Sequence, residues 1–180
     1  MAINSFTAGT FNNTNGAKRG LRFIPPMNCR AIGMRWYTGN TSGDCNISLM
    51  NDAGTELSSS STAYDCDHTG GGGAMTTMYF DNAVTSTAGT AYRIAPEPTS
   101  ATNCGLAFYT LPSADYYTTT PGGVNCTYAT LASGTWTDST TQIPLMDVLL
   151  DQIDNGAGSG EGGGQRVISA RTFQASNPKA

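Results

Sequence analysis

The chain has 180 residues, a length that fits one domain with an appendage. Charged residues make up only 12% of it, about half the usual fraction, while eight Tyr, six Phe and two Trp exclude the composition of a disordered chain. The formal net charge of −4 at pH 7 excludes general nucleic-acid binding, which needs a basic surface.

The N-terminus predicts a protein that is made without secretion. Residues 1–6 contain no basic region followed by an apolar run, so we expect no signal peptide and synthesis in a cytoplasm. No run of eighteen apolar residues occurs, so we expect neither a membrane-spanning helix nor a membrane partner.

Short runs of apolar, β-branched and aromatic residues, separated by turn residues, predict strands along the first 153 residues. In chain order, the runs cover residues 21–24, 30–37, 45–49, 75–80, 92–94, 106–109, 126–131 and 145–153. The second run alternates most clearly. We expect one face to carry Ile32, Met34 and Trp36, and the other to carry Arg35 and Tyr37.

The last run also fits a short helix that begins at Pro144. Because no other segment has a helical period, we predict a strand there. Seven to nine short strands indicate an all-β fold, a β-sandwich or jelly roll, over residues 1–155.

Beyond the strands, residues 156–164 are rich in glycine and predict a flexible hinge. Residues 165–180 carry basic side chains and no acidic one, and we interpret them as an anchoring arm. Val167, Ile168 and Phe173 alternate with polar residues, which suits an edge strand added to a partner's sheet. Arg166 and Arg171 suit carboxylates on an acidic partner surface.

Three segments resemble a family of jelly-roll domains. Residues 17–37 resemble its G-v-R-F/W-Y opening strand, Ile47 to Leu57 its v-x-L-w-x-x-x-G-x-x-L segment, and Thr87 to Arg93 its l-t-A-G-t-x-Y strand entry. The resemblance covers roughly residues 2–153 at the level of pattern. Such domains occur in carbohydrate-associated extracellular proteins and in short virion proteins of tailed phages.

The resemblance implies a structural virion protein, and a capsid decoration (cement) protein is the leading hypothesis. Its expected partners are the major capsid protein or other virion proteins, together with further copies of the same chain, and its expected location is the virion. The alternative is a tail or collar fibre component, or a carbohydrate-binding module, that contacts a glycan on the host surface. Fold alone does not decide between them.

Catalytic chemistry is hard to place in this chain. The single histidine, His68, lies with Asp65 and Asp67 in a loop that precedes four glycines, where neither a metal site nor a general base would be preorganised. No GxSxG motif accompanies it. We therefore expect no catalytic residues, no metal and no cofactor; a hydrolase based on His68 is the weakest alternative.

Two further groups of residues are candidates for contacts. The aromatic residues that suit glycan stacking or an oligomer interface are Tyr109, Tyr116, Tyr117, Tyr128 and Trp136. The cysteines are Cys29, Cys45, Cys66, Cys104 and Cys126. Reduced, buried thiols are the first interpretation of the cysteines, and an intermolecular disulfide formed after release from the cell is the alternative.

Overall fold

The computed structural model describes residues 7–13, 17–38, 44–60, 64–65, 74–99, 104–110, 125–139, 141–152 and 168–169. Within these ranges all regular structure is β. The strands are β1 (Thr7–Asn13), β2 (Ala17–Ile24), β3 (Cys29–Thr38), β4 (Asp44–Asn51), β5 (Glu56–Ser59), β6 (Tyr64–Asp65), β7 (Ala74–Ser86), β8 (Tyr92–Pro98), β9 (Cys104–Thr110), β10 (Asn125–Ala132), β11 (Thr135–Ser139), β12 (Gln142–Pro144), β13 (Met146–Gln152) and β14 (Ile168–Ser169).

The strands form two layers. One layer is a large sheet with the order β11-β10-β2-β8-β4-β5, in which β6 also pairs with β4. The other contains the sheets β1-β9-β12 and β14-β13-β3-β7. Leu145 connects these two sheets, because its N–H donates to the carbonyl of Ala107 in β9 and its carbonyl accepts from Tyr37 in β3.

The predicted all-β sandwich is confirmed, and every strand pairing in the described residues is antiparallel. Each of the eight predicted runs coincides with a strand, including the run after Pro144, which is β13 rather than a helix. The short strands β5, β6, β11, β12 and β14, and also β1, are additional to the prediction of seven to nine strands.

The core lies between the two layers. Its largest fully buried side chains come from β2, β3, β4, β8, β9 and β13: Leu21, Phe23, Met34, Trp36, Ile47, Leu49, Ile94, Leu106, Met146 and Val148. The Phe23 and Tyr92 rings stack at 5.7 Å between centroids. Both layers thus bury their apolar faces against each other, as a sandwich requires.

Strand β3 changes phase in its middle. Cys29 and Ala31 are buried before this point, and Met34, Trp36 and Thr38 after it. Ile32 is the extra residue, since Ala31 and Gly33 pair with adjacent residues of β13. The expectation that Ile32 shares a face with Met34 and Trp36 is therefore wrong, because a β-bulge separates them. Arg35 and Tyr37 do lie on the opposite face.

Gly33 stands at this bulge and packs against the backbone of β7. A Cβ at Gly33 would lie 2.9 Å from the Cα of Tyr79 and closer still to the carbonyl oxygen of Met78. Neither neighbour is a flexible side chain that could move aside. The bulge therefore depends on a residue without a side chain.

We expect Gly33→Ala to lower the free energy of unfolding by about 1–3 kcal/mol, because the added methyl group would push β3 and β7 apart. Urea unfolding followed by tryptophan fluorescence measures this. Thr85→Ala, an exposed position on the neighbouring strand, is the control and should change stability by less than about 0.5 kcal/mol. Equal effects of the two substitutions would contradict the close contact at Gly33.

Candidate interaction surfaces

Two arginines on neighbouring strands share two carboxylates. Arg22 of β2 lies directly opposite Arg93 of β8. Arg22 donates two hydrogen bonds to Asp52, from Nε to Oδ1 at 2.8 Å and from Nη2 to Oδ2 at 3.1 Å. Arg93 donates from Nη1 to Oδ1 of Asp138 at 2.6 Å, and its Nη2 lies 3.0 Å from Oδ1 of Asp52. We call these four side chains the arginine cluster.

Arg93 also has neutral partners in the cluster. Its Nε donates to the backbone carbonyl of Asp52 at 2.8 Å, and its guanidinium lies 5.3 Å from the ring centre of Trp136. Trp136 in turn packs on Gly54, where a Cβ would lie 2.7 Å from the indole Nε1. Only 6% of Arg93 is exposed. The cluster thereby fastens the β4–β5 turn and strand β11 to the middle of the large sheet.

The charges of the arginine cluster are balanced, two positive against two negative. The hydrogen bonds from Arg22 are the main cause of a pKa of Asp52 below its ordinary value, and partial burial opposes them. Asp52 is therefore held ionised by its partners instead of being poised to exchange protons. This geometry supports a structural role for the cluster and offers no catalytic base.

The five aromatic candidates are not all placed. Trp136 is only half-exposed, and Arg93 lies over its ring. Tyr109 is exposed in β9, on the other layer. The Tyr128 backbone belongs to β10, whereas Tyr116 and Tyr117 lie outside the described residues. These residues form a group only because they are close together along the chain. In the structure, Trp136 and Tyr109 lie on different sheets.

One part of the predicted arm is described, and it forms a strand. Ile168 pairs with Leu150 and Ser169 with Leu149, so β14 extends the sheet beside β13. The sequence predicted this strand in a partner's sheet; here it lies in the chain's own sheet. Arg166, Val167, Arg171 and Phe173, like the hinge 156–164, lie outside the described residues.

Three of the five cysteines are buried thiols in the core. Cys29, Cys45 and Cys104 are 3%, 1% and 0% exposed. Burial also raises the pKa of the Cys29 thiol. Cys66 lies outside the described residues, and only the backbone of Cys126 is described. An intermolecular disulfide in the native fold would therefore have to use Cys66 or Cys126.

Strand β7 carries an exposed apolar stripe that the sequence analysis did not identify as a surface. Met75 and Tyr79 are 49% and 58% exposed, and Thr77 between them is also exposed. Thr76, Met78 and Phe80 point the other way and are buried. The sequence could have indicated this surface, because large apolar residues occur on both faces of the strand: Met75 and Tyr79 on one face, Met78 and Phe80 on the other.

Within the described ranges, no group of three or more His, Cys, Asp or Glu side chains is arranged to hold a metal. His68 and Asp67 lie outside those ranges, and only the backbone of Asp65 is described. The same ranges contain no helix long and apolar enough to cross a membrane.

Comparison of the chain with models of known protein families gives no match. A search of curated proteins gives no significant match either.

We expect Asp52→Asn to destabilise the protein at pH 7 but not at low pH. The native pKa of Asp52 is lowered, so its contribution is fully present above its unfolded-state value, near pH 4, and disappears as the pH falls through the native value. Urea unfolding of both proteins between pH 7 and pH 2.5 measures the difference. A gap in stability that stays constant over this range would contradict the ion pairing.

We expect iodoacetamide to leave Cys29, Cys45 and Cys104 unmodified in the native protein and to modify them in urea, because buried thiols are inaccessible to the reagent. The raised pKa of Cys29 lowers its reactivity further. Mass spectrometry of the peptides reports each site separately. Modification of any of the three at the rate of the unfolded chain would show that the core is open at that position.

Proposed function

We propose that the protein is a structural component of a tailed-phage virion, a capsid decoration protein displayed on the particle and docked by its C-terminal arm. The observation that supports this most directly is the pairing of β14 with β13. The arm segment can add to a sheet edge as a strand, which is the mode of attachment that the proposal needs. The jelly-roll resemblance supports the assignment to a virion.

The proposed mechanism is additive burial at the particle surface. In the part of the chain that the structure describes, the ladder between β14 and β13 pairs two residues of each strand. The proposed mechanism requires that β14 exchange this ladder for one on a neighbouring subunit. A sandwich that is held by its arm on one subunit and by its body on the next would bridge the two, so separating them would also break the bridging contacts.

The ion pairs within the body are consistent with this role. The two arginines of the arginine cluster are neutralised by carboxylates, and Lys18, Arg30 and Arg35 form ion pairs with Glu97, Asp151 and Asp147. Five of the six basic residues of the sandwich are therefore paired with carboxylates within it, and the sixth, Arg19, donates a hydrogen bond to Thr130. The basic side chains of the arm remain as the candidates for binding an acidic partner surface.

A tail or collar fibre component that binds host glycans is the second candidate, and the exposed ring of Tyr109 favours it. It predicts that the isolated protein binds glycans and that Tyr109→Ala weakens this binding. A glycan array with both proteins distinguishes it from the decoration proposal, which predicts no glycan binding.

Deletion of residues 156–180 is expected to abolish incorporation into particles while the sandwich stays folded, because the large core side chains among the described residues all precede residue 151. Incorporation is measured by adding the purified protein to particles that lack it, followed by sedimentation and quantification by mass spectrometry. Circular dichroism of the truncated protein reports on the fold.

Ile168→Pro is the matched variant for this experiment. Proline cannot donate a hydrogen bond to a neighbouring strand, so it impairs strand addition while the length and charge of the arm stay unchanged. We expect it to reduce incorporation as the deletion does. A truncated protein that still coats particles at shell-like stoichiometry would contradict anchoring by the arm.

A further inference from the structure

Strand β7 is an edge strand that lacks the usual protection against pairing. It ends the sheet order β14-β13-β3-β7, and β3 is its only strand partner in the part of the chain that the structure describes. Edge strands are normally blunted by charged residues, proline or bulges. Residues 74–80 contain no charged residue and no proline.

The features that block strand addition, a bulge and a charged residue, occur only in the second half of β7. There, β7 bulges widely, with residues 80–83 opposite the single residue Ile32, and Asp81 lies in this bulge. The side chain of Ser58 in β5 donates to the carbonyl of Asn82 at 2.9 Å, so β5 contacts this part of β7. The unprotected edge is therefore the regular segment 74–79, where each residue pairs in register with β3.

We propose that this edge pairs with the same edge of a second copy of the chain, in antiparallel register about a twofold axis at Thr77. In this register Met75 of each copy lies opposite Tyr79 of the other, and the two Thr77 residues face each other. Sulfur–aromatic contacts are favourable, and aromatic residues stabilise cross-strand pairs. The strand is thus complementary to itself, which a twofold interface requires.

The charge pattern of this edge favours a second copy of the chain as the partner strand. Because residues 74–80 are uncharged, antiparallel self-pairing brings no like charges together. The charged rows on the same face, Arg35 with Asp147 and Arg30 with Asp151, lie on β3 and β13, so Arg35 is one strand in from the edge, opposite Thr77. Tyr37, which pairs with Met75 across β3 and β7, extends the apolar row inward on each copy. The two four-stranded sheets would join into one of eight strands.

The mass of the full-length protein in solution, measured by light scattering over a concentration series, tests this proposal. We expect a dimer, and we expect Thr77→Lys to weaken it by about tenfold or more, because like charges directly opposite each other are destabilising. Thr137→Lys, at an exposed position on β11 of the other layer, is the matched control and should leave the dimer intact. Thermal unfolding checks that both variants are folded.

Cross-linking tests the register. Thr77→Cys should give a disulfide-linked dimer under mild oxidation, because the twofold axis places the two residues opposite each other, whereas Thr85→Cys beyond the bulge should not. The unsubstituted protein shows the background from the native cysteines. A monomer at all concentrations overturns the proposal, and so does a dimer that Thr77→Lys leaves unchanged.

This interface is independent of the arm, so its failure and that of the proposed function are distinguishable. Deletion of residues 156–180 should leave the dimer intact. If the deletion makes the protein monomeric while Thr77→Lys does not, the arm occupies the interface and pairing through β7 is refuted. If the protein is a dimer through β7 but never enters particles, only the proposed virion function fails.

Discussion

The burial of Arg93 is the constraint around which the large sheet is organised. A guanidinium removed from water needs carboxylates and carbonyl oxygens within reach, and Arg93 obtains them from the β4–β5 turn and from β11. These elements lie on opposite sides of β8 in the sheet order. The requirement of one side chain therefore fixes the position of two segments that contribute little to the apolar core.

The same cluster draws together three segments that lie far apart in the chain, residues 17–37, 47–57 and 87–93. The first contributes Arg22, the second Asp52 and the third Arg93, and these residues meet on one face of the sheet. Tyr92, next to Arg93, stacks on Phe23 and accepts a hydrogen bond from the Thr87 backbone. These residues thus hold the scaffold together.

The sequence predicts the strands well because alternation is a local property, but it does not predict how distant residues meet. Met34 and Trp36 are recognisably core residues from their spacing alone, whereas the bulge at Ile32 depends on pairing with β7 and β13. Trp136 and Asp138 lie in β11, whose other residues are small and polar. Because apolar residues do not alternate there, the sequence pattern does not predict this strand. The arginine cluster joins residues up to 116 positions apart, a distance over which spacing carries no information.

The antiparallel register has a consequence for how the chain is made. Strands β1, β2 and β3 pair with β9, β10 and β13, so residues 7–38 wait for partners that are synthesised at least 66 residues later. Contacts between distant segments form slowly, and exposed strands aggregate in the meantime. Nascent chains stalled before residue 125 would carry β2 without its partner β10. Slow synthesis of the later strands would therefore prolong the time in which the first strands are open to aggregation.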